Sequence, residues 1–143
     1  MTTTAKDPER PRVLVVDDNA VTALAVTSIL RANGFDTAGA DSAERARQSL
    51  PGFRPDLILM DVQMPGADGY EFTRELKANP ATATIPIVIT TSRSLDIDRV
   101  MAFEAGCDEF VAKPVQPAQL GPILLRVLGR AEAMTNAAED VST

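Results

Sequence analysis

The sequence predicts a doubly wound α/β sheet of five parallel strands flanked by five helices, and three observations carry that reading. Short apolar runs recur without polar alternation, each run closes abruptly on a polar residue, and helical signals fill the intervals between them. Unbroken apolar runs mark strands covered on both faces. Strands alternating with helices lead to right-handed crossovers within one parallel sheet.

The first run, Val13-Leu14-Val15-Val16, stops at Asp17-Asp18-Asn19. From Asn19 to Asn33 the chain is rich in Ala, Leu and Val, and Asn33-Gly34 supplies a C-terminal stop, so a helix is expected there. Phe35 to Ala40 is the most dilute strand, because Thr37 and Gly39 interrupt it. Ser42 is placed to cap a second helix with Glu44 in its first turn, and Pro51-Gly52 is expected to end that helix at Leu50. Leu57-Ile58-Leu59-Met60 is the third run and closes on Asp61. Gly69 to Ala78 carries Phe72 and Leu76 one helical turn apart and is closed by Asn79-Pro80. Ile87-Val88-Ile89 ends in Thr90-Thr91-Ser92, and a helix from Leu95 to Ala105 stops at Gly106. Phe110-Val111-Ala112 is the last strand and ends in Lys113-Pro114. Leu120, Ile123, Leu124, Val127 and Leu128 then form the apolar stripe of a last helix. Residues 1–11 read as a flexible leader, 12–130 as the domain, and 131–143 as a disordered or frayed helical tail.

Composition narrows the chemistry. A chain of 143 residues with 45% hydrophobic and 24% charged residues is sized and composed as one globular domain. It has no His and a lone Cys107, which removes Ser-His-Asp and Cys-His nucleophiles, histidine metal sites, internal disulfides and a phosphohistidine of its own. Such cysteine usage suits a reducing cytoplasm. A net charge of −6 repels phosphate backbones and anionic lipid, so neither nucleic acid nor membrane is expected as a partner. No apolar run approaches the roughly 20 residues that span a bilayer. Carboxylates, hydroxyls, lysine and backbone remain for chemistry.

In open α/β sheets, ligands bind beyond the carboxyl ends of the strands. Asp17, Asp18, Asp61, Thr91, Ser92 and Lys113 all stand at such ends and would converge on one edge of the sheet. A single Asp after a strand is commonly a loop acid or a helix cap. Four strands that each end in a reactive or charged type are much harder to explain that way.

At these residues the chain resembles the receiver domains of two-component response regulators. The likeness rests on Asp17-Asp18 after the first run and on Pro55-Asp56-Leu57-Ile58-Leu59-Met60-Asp61-Val62-Gln63-Met64-Pro65-Gly66-Ala67-Asp68-Gly69. It continues through Ile85-Pro86-Ile87-Val88-Ile89-Thr90-Thr91-Ser92 and Ala105-Gly106-Cys107-Asp108-Glu109-Phe110-Val111-Ala112-Lys113-Pro114, and covers Arg12 to Arg130. The resemblance implies the flavodoxin-like receiver fold, with Asp61 as acceptor of a phosphoryl group from a phosphohistidine on a histidine kinase or histidine phosphotransfer protein. It implies a Mg²⁺ (or Mn²⁺) ion on Asp18 and Asp61, with Asp17 acting through a water and Gln63 through its backbone carbonyl. Crowded carboxylates without that ion should show a raised pKa. Lys113, the Thr91 hydroxyl and the Ser92 N–H would meet the phosphoryl oxygens. Thr91 and Phe110 would form the switch, and Pro114 a structural turn with a cis Lys113–Pro114 bond.

The sequence departs from the common pattern at Phe110, where Tyr is frequent, so no phenolic hydroxyl is available there. The side chains of Gln63 and Arg93 border the expected site. The phosphodonor protein would dock over Ala20, Val21 and Leu24 and the loop after Lys113. A downstream target would read the last two helices and last strand, around Asp96–Met101 and Ala118–Arg130, and the resemblance also admits a phosphorylation-dependent dimer. The chain is expected to be either a stand-alone receiver, the favoured reading, or a piece of a larger regulator; in both cases it is a phosphoacceptor, not an enzyme, limited to self-phosphorylation from small donors and slow autodephosphorylation. A degenerate receiver that binds partners without phosphorylation is the alternative, and the intact acids and Lys113 argue against it. An aspartyl-phosphate hydrolase would need an Asp-x-Asp pair that Asp17-Asp18 does not supply, and a flavodoxin-like cofactor protein would need a Ser/Thr-rich phosphate loop after the first strand.

Overall fold

Arg12 leads the chain into β1 (Arg12–Val16), and the elements follow as α1 (Ala20–Ala32), β2 (Asp36–Ala40), α2 (Ala43–Phe53), β3 (Leu57–Asp61), β4 (Gln63–Met64), β5 (Ala67–Asp68), α3 (Gly69–Ala78), β6 (Ile87–Thr91), α4 (Asp96–Ala105), β7 (Glu109–Ala112) and α5 (Pro117–Ser142). The structure, a computed structural model, describes residues 10–64, 67–92 and 96–142; for 64, 67, 68 and 131–142 only the backbone is described. The expectations for the leader up to residue 9, for Arg93 and for the tail from 131 on lie outside the residues described in full.

Five strands form one parallel sheet in the order β2-β1-β3-β6-β7. Alternate residues of β1, β3, β6 and β7 enter different cores, which is why those runs show no polar alternation. Leu14, Val16, Ile58, Met60, Ile87 and Ile89 pack with α2, α3 and α4 through Ala43, Ala46, Phe72, Leu76 and Ala102. Val13, Val15, Leu57, Leu59, Val88 and Val111 pack with Val26 and Leu30 of α1 and Leu120, Leu124 and Val127 of α5. The result is three layers, helices on both faces of the sheet, as the alternation of elements requires.

Local signals set most boundaries. The Asn19 side chain caps α1 by accepting from the Thr22 N–H at 3.0 Å, and Gly34 with φ 89° turns the chain out of the helix. The expected end of α2 at Leu50 is corrected: the helix runs through Pro51 and Gly52 to Phe53. Phe53 packs against the core, and Arg54 adopts the left-handed conformation (φ 53°) and donates its N–H to the Leu50 carbonyl at 2.9 Å. Packing of the half-buried ring against the core and a left-handed cap outweigh the Pro-Gly signal. The short antiparallel pair β4–β5 was not expected; it joins Gln63 to Asp68 directly after Asp61.

Candidate functional site

The chain winds outward from β1 to β2, then crosses back to lay β3 on the other side of β1. That reversal opens a crevice at the carboxyl ends of β1 and β3. Val16 pairs with Met60, so the next residues, Asp17 and Asp61, emerge side by side. With Asp18 they place three carboxylate oxygens within 4.8 Å of one another. Asp17 and Asp61 are buried at 6% and 3% exposure, while Asp18 faces solvent.

Backbone groups hold the buried pair. The Asp17 N–H donates to the Ala40 carbonyl at 3.0 Å, and its Oδ1 accepts from the Asn19 N–H at 2.9 Å. Asp61 Oδ1 accepts from the Gln63 N–H at 3.1 Å. Lys113, leaving β7, completes the cluster: its Nζ stands 3.0 Å from Asp17 Oδ2 and 3.4 Å from Asp61 Oδ1. The Lys113 N–H donates to the Thr91 carbonyl at 2.8 Å, which ties this exit to the end of β6, and the Lys113–Pro114 peptide is cis.

Burial pushes the Asp61 carboxyl above the ordinary carboxylate range; the Gln63 N–H and Lys113 oppose the rise, and the neighbouring Asp17 adds to it. Three carboxyl groups share one ammonium in this cluster, which leaves a place for a further cation. Its donors are all hard oxygens, which fits Mg²⁺ or Mn²⁺ and not a metal that prefers nitrogen or sulfur.

Thr91 is fully buried at the end of β6, and Ser92 beyond it is exposed. The Gln63 side chain crosses to Ser92, its Oε1 accepting from Ser92 Oγ at 2.6 Å and from the Ser92 N–H at 3.3 Å. Phe110 is buried at 9% exposure, with the Arg99 guanidinium of α4 lying 5.4 Å from its ring centroid. The sequence places Gly69 at a helix start and Arg99 within the span Asp96–Met101, but foreshadows neither the packing of the one nor the ring contact of the other. Gly69 has a local cause: an added Cβ would meet Val62 Cα at 2.6 Å and the Asp61 carbonyl at 2.7 Å, so only glycine lets α3 start this close behind Asp61. Val21 and Leu24 of α1 are 79% and 67% exposed, and Ile97, Val100, Met101 and Phe103 form an exposed apolar strip on α4.

The sequence model of the response regulator receiver domain matches residues 13–124. The chain belongs to this family. The DNA-binding response regulator MtrA of Mycobacterium tuberculosis (strain H37Rv) is 39% identical over 114 residues, 80% of this chain and 49% of that protein. The phosphate regulon regulator PhoB of Escherichia coli K12 is 37% identical over 123 residues, 86% of this chain and 54% of that protein. The chain thus spans about half the length of these curated relatives. Among solved structures, the receiver domain of the sensor histidine kinase PA1611 from Pseudomonas aeruginosa PAO1 superposes with a TM-score of 0.77 at 34% identity, covering 84% of this chain and 98% of that one. That structure carries a magnesium ion coordinated in its active-site cleft. A histidine-kinase receiver domain from Syntrophus aciditrophicus gives 0.76 at 35% identity, covering 83% and 90% of the two chains. Relatives named for DNA binding give the expectation of no nucleic-acid partner no support. Among the described residues no helix is long and apolar enough to cross a membrane.

Proposed function

We propose that this receiver accepts a phosphoryl group on Asp61 from a phosphohistidine of a partner protein and signals onward by protein contact. The observation that carries the reading is the cluster of Asp17, Asp18 and Asp61 with Lys113 at the reversal of the sheet. An Asp61 oxygen attacks phosphorus; the O–P bond forms as the P–N bond of the phosphohistidine breaks, and the imidazole nitrogen keeps the electron pair. Such a transfer needs positioning and charge neutralisation more than covalent assistance. A Mg²⁺ (or Mn²⁺) ion, when bound, supplies neutralisation of the phosphoryl charge; Asp18 and Asp61 would hold it, with Asp17 through a water and the Gln63 carbonyl. Lys113 supplies the second cation, and the Ser92 N–H and Thr91 hydroxyl the neutral donors.

The added group brings about −1.5 to −2 charge units and three acceptor oxygens. Thr91 and Phe110 convert that into a shift of α4, β7 and α5, whose exposed Ile97, Val100, Met101 and Leu125 are available for a target or a second copy. The phosphodonor docks on the exposed Val21 and Leu24 of the helix that follows Asp18. The domain is a stoichiometric acceptor, not a turnover enzyme, and with its lone reduced Cys107 we place it in the cytoplasm. The test is incubation with a small acyl-phosphate donor and Mg²⁺, read by intact mass, beside Asp61→Asn. One phosphoryl group on the wild type and none on the variant is expected. No addition, or equal labelling of both, overturns the reading.

A further inference from the structure

Gln63 does more than offer a backbone carbonyl. It follows Asp61 by two residues, Ser92 follows the last residue of β6, and β3 and β6 are neighbours, so its carboxamide spans two strand ends. Both polar hydrogens of Ser92 point at one atom: Gln63 Oε1 accepts from the hydroxyl at 2.6 Å and from the backbone N–H at 3.3 Å. The Gln63 backbone is itself held, by its N–H bond to Asp61 Oδ1 and by pairing with Asp68, so little freedom is lost in forming the bridge.

On the phosphoacceptor reading above, the Ser92 N–H is a donor that a phosphoryl oxygen on Asp61 would use. In this structure that donor is committed elsewhere. We propose that the Gln63 carboxamide oxygen is an internal stand-in for a phosphoryl oxygen: it occupies the Ser92 donors while Asp61 is unmodified and must release them when the phosphoryl group enters. Gln63 is then a positioning residue that sets how tightly the site takes a phosphoryl group. The exchange runs forward because hydrogen bonds to a charged phosphoryl oxygen are roughly twice as strong as those to a neutral amide. It still costs the bridge, so removing the bridge tightens binding.

The probe is beryllium fluoride with Mg²⁺, a tetrahedral phosphoryl mimic, titrated calorimetrically into wild type, Gln63→Met, Ser92→Ala and the double variant. Met keeps the length of Gln63 and removes the acceptor; Ala removes the Ser92 hydroxyl and keeps its N–H. Gln63→Met is expected to bind about three- to tenfold more tightly than wild type, the yield of one or two released surface hydrogen bonds. Ser92→Ala, which loses the hydroxyl bond and keeps the N–H bond to Gln63 Oε1, is expected to tighten binding by less, and the double variant to bind no more tightly than Gln63→Met, because both changes act on one bridge. Unchanged or weaker binding by Gln63→Met, or gains that multiply in the double variant, would overturn the stand-in. A different failure would strike the underlying reading: no uptake by the wild type, or equal uptake by Asp61→Asn, removes Asp61 as phosphoacceptor and the stand-in with it.

Discussion

Replacing Lys113 with Met should expose how much of this domain's stability is spent on keeping its acids together. The ammonium lies 3.0 Å from Asp17 and 3.4 Å from Asp61, with side-chain exposures of 17%, 5% and 3% for the three residues. At an effective dielectric constant of about 20 each contact is a gross attraction of about 5 kcal/mol, before the desolvation of the ammonium takes part of it back. A ceiling comes from proton uptake. Bringing a carboxylate of unfolded pKa about 3.9 into the fold as the neutral acid costs about 4 kcal/mol at pH 7, so Asp61 escapes by protonation before the loss grows larger. The expected loss in Lys113→Met is therefore about 2–4 kcal/mol at pH 7 in chelator, close to the cost of removing one partner of a buried pair. The pH dependence has a definite sign. Asp61 is already raised above its ordinary range by burial, and loss of Lys113 raises it further, so the folded state gains stability as pH falls through that value. At pH 5 the same ceiling is about 1.5 kcal/mol, so most of the deficit should vanish there. Mg²⁺ should also restore the variant, by mass action on the folded state, and by more than it stabilises the wild type. Urea unfolding at pH 7 and pH 5, with chelator and with Mg²⁺, measures all of this. A loss below about 0.5 kcal/mol at pH 7, or an equal loss at both pH values, would refute the electrostatic account of the cluster.

Two further predictions test the frame around the site. Gly69→Ala drives a Cβ to 2.6 Å from Val62 Cα and 2.7 Å from the Asp61 carbonyl, both backbone atoms, so it should destabilise by about 1–3 kcal/mol in urea unfolding; a neutral result would mean that the turn behind Asp61 yields freely. Cys107 is buried, and burial first, then Asp108 and Glu109, push its thiol up to about 12, so native-state alkylation by iodoacetamide at pH 8 should run about a thousandfold slower than in urea. Equal rates in the two conditions would show the thiol to be accessible and ordinary.

What could be read from the chain, and what could not, follows from where each signal resides. β1 and β3 were legible because Val13 and Leu14, or Leu57 and Ile58, enter opposite cores, so every residue of the run must be apolar. β2 was faint for the complementary reason: it is an edge strand, and Thr37 and Gly39 are not buried. The acids were legible because the end of a strand is a place in the sequence, and topology alone carries Asp17 and Asp61 to one crevice. Pairings between ends are another matter. Gln63 and Ser92 are 29 residues apart, and nothing in either segment states that β3 and β6 are neighbours. The same holds for Arg99 over Phe110, where a cation on the helix before β7 finds the ring only after α4 has docked on the sheet. Strand ends supply the chemistry of this site and sequence reveals them; strand order decides which donor each acceptor already holds, and thus what a phosphoryl group must displace.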